Sequence, residues 1–419
     1  MTKKRPKWLP QTYMGFPVDE TGDNGRSNDP NQGKRGIALI IAIMIISVMM
    51  LFTSDLILSS QVNISLASAN RDNIKAEYMA KSGLNAAVLL LGSDLAYDLV
   101  SSELSKGTSS LTDGLGDIWS AMNGLPIGGD TLEMLGQFQE SFDMNAVMDS
   151  KVIDQLKLFD GAFVLDISDE SQKINLNLCG NGRCTETTNM LEALFACPAE
   201  KAFLDQKKLN GTELAFRIKD WIDSGATEIA SDKSGYNDEN EPYIKRDPKM
   251  MAKNAQMDSL DELRLIEGWD EEVHAVFAPY LTIFPFQIQS TDNKFKMNIN
   301  TTSRALLQCL FPEAKGDCQE KSAIAFAKRN TDNTTLGAPG QKIEDILKDT
   351  LCYQGGPDNE KDAQNRANWF TQNSMVYRVE TRGNVGNSEK KLVAIVERTM
   401  PDPKKNEKAS YKILYLKVI

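Results

Sequence analysis

Histidine is all but missing from this 419-residue chain, where His274 stands alone. With one imidazole and no CxxC among six cysteines, the usual zinc-ligand sets cannot be assembled. GxSxG, Walker, HExxH and dinucleotide-binding patterns are absent too, so the familiar nucleophilic, phosphate-binding and hydride-transfer chemistries have no local signature. His274 lies in a helical-looking run, Glu271 to Phe277, and reads as a structural residue; no catalytic role is expected of the chain. Long apolar runs are scarce as well. Only Ile37 to Phe52 suits lipid, which excludes a polytopic membrane protein, and the mean hydropathy below zero requires most of the chain to fold in water. Positive charge is in deficit, the net charge being −11. What excess of bases exists sits in residues 1–36, with seven Lys/Arg against four Asp/Glu. The acidic remainder repels phosphate backbones, so nucleic acid is not an expected partner.

Cysteine is missing from the first 178 residues and then appears as Cys179, Cys184, Cys197, Cys309, Cys318 and Cys352. An even count suits disulfides in an exported protein, with one bridge among the first three and one among the last three. Buried free thiols in a reducing compartment are the alternative.

The apolar run, extended through Leu58, rises about 30 Å as a helix, enough to cross a hydrocarbon core. Lys34 and Arg35 directly precede it, which places the N-terminus in the cytoplasm and the body outside. No small-residue cleavage site follows the apolar run, as a conventional signal peptide would require. Lys34-Arg35-Gly36 before Ile37 instead resembles a prepilin peptidase site, cleaved between Gly36 and Ile37. Downstream, Thr53 to Leu91 has no proline and reads as a continuing helix. Ala67, Ala69, Ala76, Ala80, Gly83, Ala86 and Ala87, with Leu66, Met79, Leu84 and Leu90, give it a face for close packing.

The body alternates between strand and helix patterns. Residues 97–130 are rich in Gly and Ser, with Trp119 as a core anchor, and 130–160 form an insertion without an assignable role. Gly161 to Asn177 reads as two short strands around a turn. Asn210 to Asp223 places Leu214, Ile218, Trp221 and Ile222 on one helix face, and Ser259 with Glu262 forms a capping box. Asn298-Ile-Asn-Thr301 echoes Lys173-Ile-Asn-Leu-Asn177, a loose internal duplication in which each copy leads into a helical bundle; Thr301 or Thr302 is the expected cap of the second. Met375 to Val385, Lys391 to Thr399 and Tyr411 to Val418 alternate as closing strands.

Asp169-Glu170, Lys173-Ile-Asn-Leu-Asn177, Asp220-Trp-Ile-Asp223 and Ser259 to Arg264 together resemble the K-type minor pseudopilin family of type II secretion systems. Most pilins and pseudopilins carry Glu as the fifth mature residue; here that position is Ile41, as is typical of the K type. The resemblance implies an α+β fold: a long N-terminal pilin-like helix packed on an antiparallel sheet, with two small helical (SAM-like) units inserted between strands. The implied organisation is a leader at 1–36, a transmembrane segment at 37–58 and an external helix at 59–95. A first part of the pilin-like domain then covers 96–178, helical units 179–284 and 285–370, and closing strands 371–419. It implies a structural subunit at the tip of a periplasmic pseudopilus, processed by the prepilin peptidase and held in the inner membrane. Its partners would be other minor pseudopilins and, at its exposed helical units, secreted proteins. Seven acids against one base between Asp220 and Glu241 do not meet EF-hand spacing. As sequence they suit a solvated loop; the resemblance makes them a calcium site, with Asp223, Asp232, Asp238, Glu239 and Glu241 as candidate ligands. Two other readings share some features: a membrane-anchored helix-hairpin-helix protein for DNA uptake, because Asn298 to Thr301 precedes a helix, and a minor pilin of type IV pili.

Overall fold

The computed structural model describes residues 32–104, 112–128, 161–181, 183–223, 233–286, 295–311, 317–332, 334–338, 340–353, 366–399 and 409–419. The leader before residue 32, the insertion at 130–160 and the side chains of Lys34 and Arg35 lie outside them. Helix α1 runs Gln32–Leu104, beyond the Leu91 end expected from sequence, because Gly92 keeps helical backbone and no proline follows before Leu104. It contributes to two compact units, residues 1–68 and 69–419. In the first, every residue from Gly36 to Ala67 is exposed. Leu66, Ala67 and Ala69 therefore do not join the packing face, which begins in the second unit at Ala76.

In the second unit, the chain continues through a short helix α2 (Ile118–Ala121) and strands β1 (Pro126–Gly128) and β2 (Ala162–Asp169). It then leaves the sheet. The stretch after Asp169 is not the second arm of a hairpin: residues Glu170–Gln172 form one 3-10 turn and Leu176–Asn181 another. Between them, β3 (Ile174–Asn175) pairs in parallel with β4 (Leu281–Thr282). Helices α3 (Cys184–Phe195), α4 (Pro198–Gln206), α5 (Gly211–Ile222), α6 (Glu241–Ile244) and α7 (Glu271–Phe277) lie within that closure. A second closure follows, β5 (Met297–Asn298) pairing in parallel with β6 (Phe370–Thr371) around α8 (Arg304–Leu310), α9 (Asp317–Asp332) and α10 (Ile343–Asp349).

The two closures share a device. Asn175 Oδ1 accepts from Asn177 N, and Asn298 Oδ1 accepts from Asn300 N, each at 2.9 Å. The second asparagine of each pair then reaches across its own unit, Asn177 to the backbone of Met257 and Ile283, Asn300 to Leu336 N. Buried amides satisfying buried backbone explain why the two sequence echoes stand where the chain passes into each helical unit. Thr301 and Thr302 are not caps. Ser303 caps α8 by accepting from Leu306 N, while Thr301 donates to Asp169 and Thr302 back-bonds to Asn298 O, so both hydroxyls are already committed.

The chain returns as β7 (Val376–Val385), β8 (Ser388–Thr399) and β9 (Ser410–Val418), giving a sheet of order β1-β2-β7-β8-β9, antiparallel throughout. Asp169 sits opposite Tyr377, so both helical units are inserted between two adjacent strands. Phe163, Leu165, Ile167, Val379, Leu392, Ala394 and Val396 pack with Met79, Leu84, Leu90 and Leu91 of α1. Each fully buried side chain of this kind contributes about 1.5–3 kcal/mol. The small residues let the helix approach closely: a Cβ at Gly383 would stand 2.5 Å from Ala80 N, and one at Gly83 would meet Phe163 and Thr381 at 3.0 Å. Thr381 Oγ1 donates to Ala80 O, and Tyr411 OH to Leu91 O, pinning helix to sheet along its length.

Candidate functional sites

Gly36 and Ile37 lie in α1, Ile37 is 60 % exposed, and nothing approaches the place where a Gly36 side chain would stand. The helix has one stretch long and apolar enough to cross a membrane, and Ile41 extends it without a carboxylate. Two of its hydroxyls are folded back onto helix carbonyls, Ser47 Oγ to Ile43 O and Thr53 Oγ1 to Met49 O, so neither of these presents an unpaired donor to lipid.

The acidic stretch gathers at the end of α5 and the start of α6. Asp220 and Glu239 are buried, and Asp223 is half-buried. Asp223 Oδ1 and Glu239 Oε2 are buried without a hydrogen-bond partner. A third such oxygen belongs to Asn254, whose φ of +48° and N–H to Trp221 O fix it beside Glu239. Burial, followed by the charges of Asp220, Asp223 and Asp238, pushes the Glu239 carboxyl up, against a hydrogen bond from Asn254. Orphaned buried oxygens are destabilising unless something bridges them, and a hard cation accepts this donor set. Asp238 spends one oxygen on Asn240 N, and Glu241 faces Lys245 at 3.0 Å on the surface. Asp232 lies outside the described residues. Asn254 is the residue sequence reading missed, because an isolated amide beyond the acidic run carries no charge signal.

Two bridges are in place, Cys179–Cys184 and Cys197–Cys309, and Cys352 is also disulfide-bonded. The Cys318 side chain lies outside the described residues. Cys197–Cys309 ties the first helical unit to the second, and its sulfurs are accordingly not metal ligands for neighbouring Glu200. His274 Nδ1 accepts from Trp269 Nε1 at 3.3 Å, which makes it a packing residue of α7; burial, then Arg264, lowers its pKa.

The junction between sheet and second helical unit is organised by Arg398, which has no exposed surface. Its Nη2 donates to both oxygens of Asp113 at 2.7 and 2.6 Å and to Ser374 O at 2.7 Å. Asp113 also accepts from Tyr377 OH and Ser374 N, while its carbonyl takes Asn298 Nδ2. Asn298, Thr301 and Thr302 are thus buried in contacts of the fold.

A helix packed from Ala76 onward on an antiparallel sheet, with helical units let in between neighbouring strands, is an α+β arrangement, and residues 37–58 belong to a stretch long and apolar enough to cross a membrane. A family model described as type II secretion system (T2SS), protein K, matches residues 173–286. The chain is 22 % identical over 306 residues to the type II secretion system protein K of Klebsiella pneumoniae, covering 71 % of this chain and 78 % of that protein. A chain in the crystal structure of the GspK-GspI-GspJ complex of the enterotoxigenic Escherichia coli type 2 secretion system shares its fold. That match has a TM-score of 0.55 and 14 % identity, over 84 % of this chain and 98 % of the other. Over residues 173–286 the sequence, and over most of its length the fold, are similar to those of the protein K subunits of type II secretion systems.

Proposed function

We propose that the chain is cut between Gly36 and Ile37 by the prepilin peptidase, held in the inner membrane by residues 37–58, and placed at the tip of a periplasmic pseudopilus, where it starts assembly. The observation that carries the tip position is the insertion of both helical units between β2 and β7, a bulk that no stacking subunit accommodates above it. Ile41 agrees, since a filament subunit that follows another would present a carboxylate there. Its partners are other minor pseudopilins, of the kind that the related complex holds with its K subunit. Secreted proteins meet the helical units. N-terminal sequencing of protein extracted from membranes tests the reading: a mature start at Ile37 is expected, and an intact Met1 or a cut beyond Phe52 would overturn it.

Calcium is the proposed ligand of the Asp223, Glu239 and Asn254 oxygens, with Asp220 and Asp238 supplying charge and Asp232 and Glu241 as peripheral candidates. Full-length protein in detergent should gain roughly 2.7 kcal/mol of stability at a calcium concentration about 100-fold above Kd. Asp223→Asn with Glu239→Gln should abolish that gain, and an unchanged calcium response in the double variant would refute these ligands.

A further inference from the structure

A second group of carboxylates lies outside everything assigned above. Asp94 and Asp98 sit four residues apart on one face of α1, and Asp113 and Asp117 come from the loop before α2. Carboxylate oxygens of Asp94, Asp98 and Asp113 all lie within 4.8 Å of one another. Asp94 and Asp113 are 2 % and 1 % exposed. Among the described residues the facing cation is Arg398, so four acids meet one base.

Arg398 does not resolve the surplus. Its Nη2 is committed to Asp113 and Ser374, and its Nη1 stands 3.5 Å from Asp94 Oδ2 without a hydrogen bond between them. Asp94 Oδ2 is thus a deeply buried oxygen that accepts no hydrogen bond and faces two further carboxylates. Asp117 is otherwise engaged, accepting from Gly114 N at 2.6 Å and Trp119 Nε1 at 3.3 Å. Burial, then Asp117, Asp113 and Asp98, pushes the Asp94 carboxyl up to about 8. Burial, then Asp113 and Asp117, pushes Asp98 up to about 7.

We propose that Asp94, Asp98 and Asp113 form a binding site for a hard divalent cation of the calcium class, which joins α1 to the 112–117 loop and, through Asp113, to Arg398 of β8. The donors are all oxygen, as such a cation requires, and they outnumber the one guanidinium, Arg398, that reaches both Asp94 and Asp113. Sequence carries a faint trace of it: two acids at i and i+4 on a helix face otherwise filled by Leu90, Leu91 and Leu95.

Terbium(III), a luminescent stand-in for calcium, tests the site in the full chain in detergent. The background is Asp223→Asn with Glu239→Gln, which removes the helical-unit candidate. Tyr377, hydrogen-bonded to Asp113, and Trp119, hydrogen-bonded to Asp117, are the local sensitisers. Sensitised emission that calcium displaces is expected to persist in this background. Asp98→Asn, at a half-buried position, should weaken binding at least ~10-fold, the smallest effect usual even for a group that only orients a ligand, while the surface control Asp166→Asn should not. Emission that vanishes entirely in the background variant would overturn the proposal, as would emission indifferent to both Asp98→Asn and Asp94→Asn.

Discussion

Arg398→Met is expected to lower the stability of the 69–419 unit by about 3–5 kcal/mol, the usual result of removing one partner from a buried ion pair. The side chain has no exposed surface, and its guanidinium is the described cation facing Asp94, Asp98, Asp113 and Asp117. Methionine fills much of the volume, so a cavity contributes little and the loss reports charge and hydrogen bonding. Three bonds from Nη2 disappear together, and Ser374 O and both Asp113 oxygens lose a donor. Arg398→Lys should recover only part of the deficit, because a single ammonium cannot reproduce the planar fork across both oxygens of Asp113. Urea unfolding of the full chain in detergent reads the effect as a lower midpoint. A methionine variant within ~1 kcal/mol of the parent would mean that Arg398 does not organise this junction.

How much of this was legible beforehand depended on whether a feature is local. The anchor was, because a membrane span is a property of consecutive residues. So were β7, β8 and β9, although in the fold alternation survives mainly in β7 while β8 is buried from Leu392 to Val396, and α5, where Leu214, Ile218, Trp221 and Ile222 are all buried. The capping box at Ser259 and Glu262 is present, although the residues it opens, Leu260–Leu265, coil as a 3-10 helix. Features made by closure were not legible. Strands β3 to β6 are two residues long, too short for any periodicity, and exist because the ends of each helical unit meet. Strand β1 hides in a Gly/Ser-rich stretch and is defined by its pairing with Ala162 to Val164. Ser303 displaced the two threonines as cap for a tertiary reason, since Asp169, 132 residues from Thr301, claims that hydroxyl. The sites divide in the same way. The acidic run from Asp220 was visible, whereas Asn254 reaches it by a turn of the backbone and Arg398 reaches Asp113 across 285 residues.

Breaking Cys197–Cys309 should cost more than breaking Cys179–Cys184, and the reason lies in the unfolded chain. The first bridge spans 112 residues and the second five. In the loop-closure description, a bridge restricts the unfolded ensemble more as the loop lengthens, to nearly ~5 kcal/mol for a span of about 100 residues and roughly 2 kcal/mol for one of about five. Measured losses on removing native disulfides fall in the same range, about 2–5 kcal/mol. Folded-state packing adds to the difference: Cys309 is 5 % exposed and packs in the shared core of both helical units, with Leu306, Leu307 and Leu310 beside it. The expected result is therefore a larger fall in urea midpoint for Cys197→Ala with Cys309→Ala than for Cys179→Ala with Cys184→Ala, each measured under oxidising conditions. If the short bridge proves the costlier one, its stabilisation resides in the folded turn beside Asn177 and not in chain entropy. With the expected order, the bridge between the two units is what an oxidising compartment adds to this fold. The same protein made in a reducing compartment should then unfold more readily than the Cys197→Ala with Cys309→Ala variant, because the 112-residue loop is open in both and the remaining bridges are open as well.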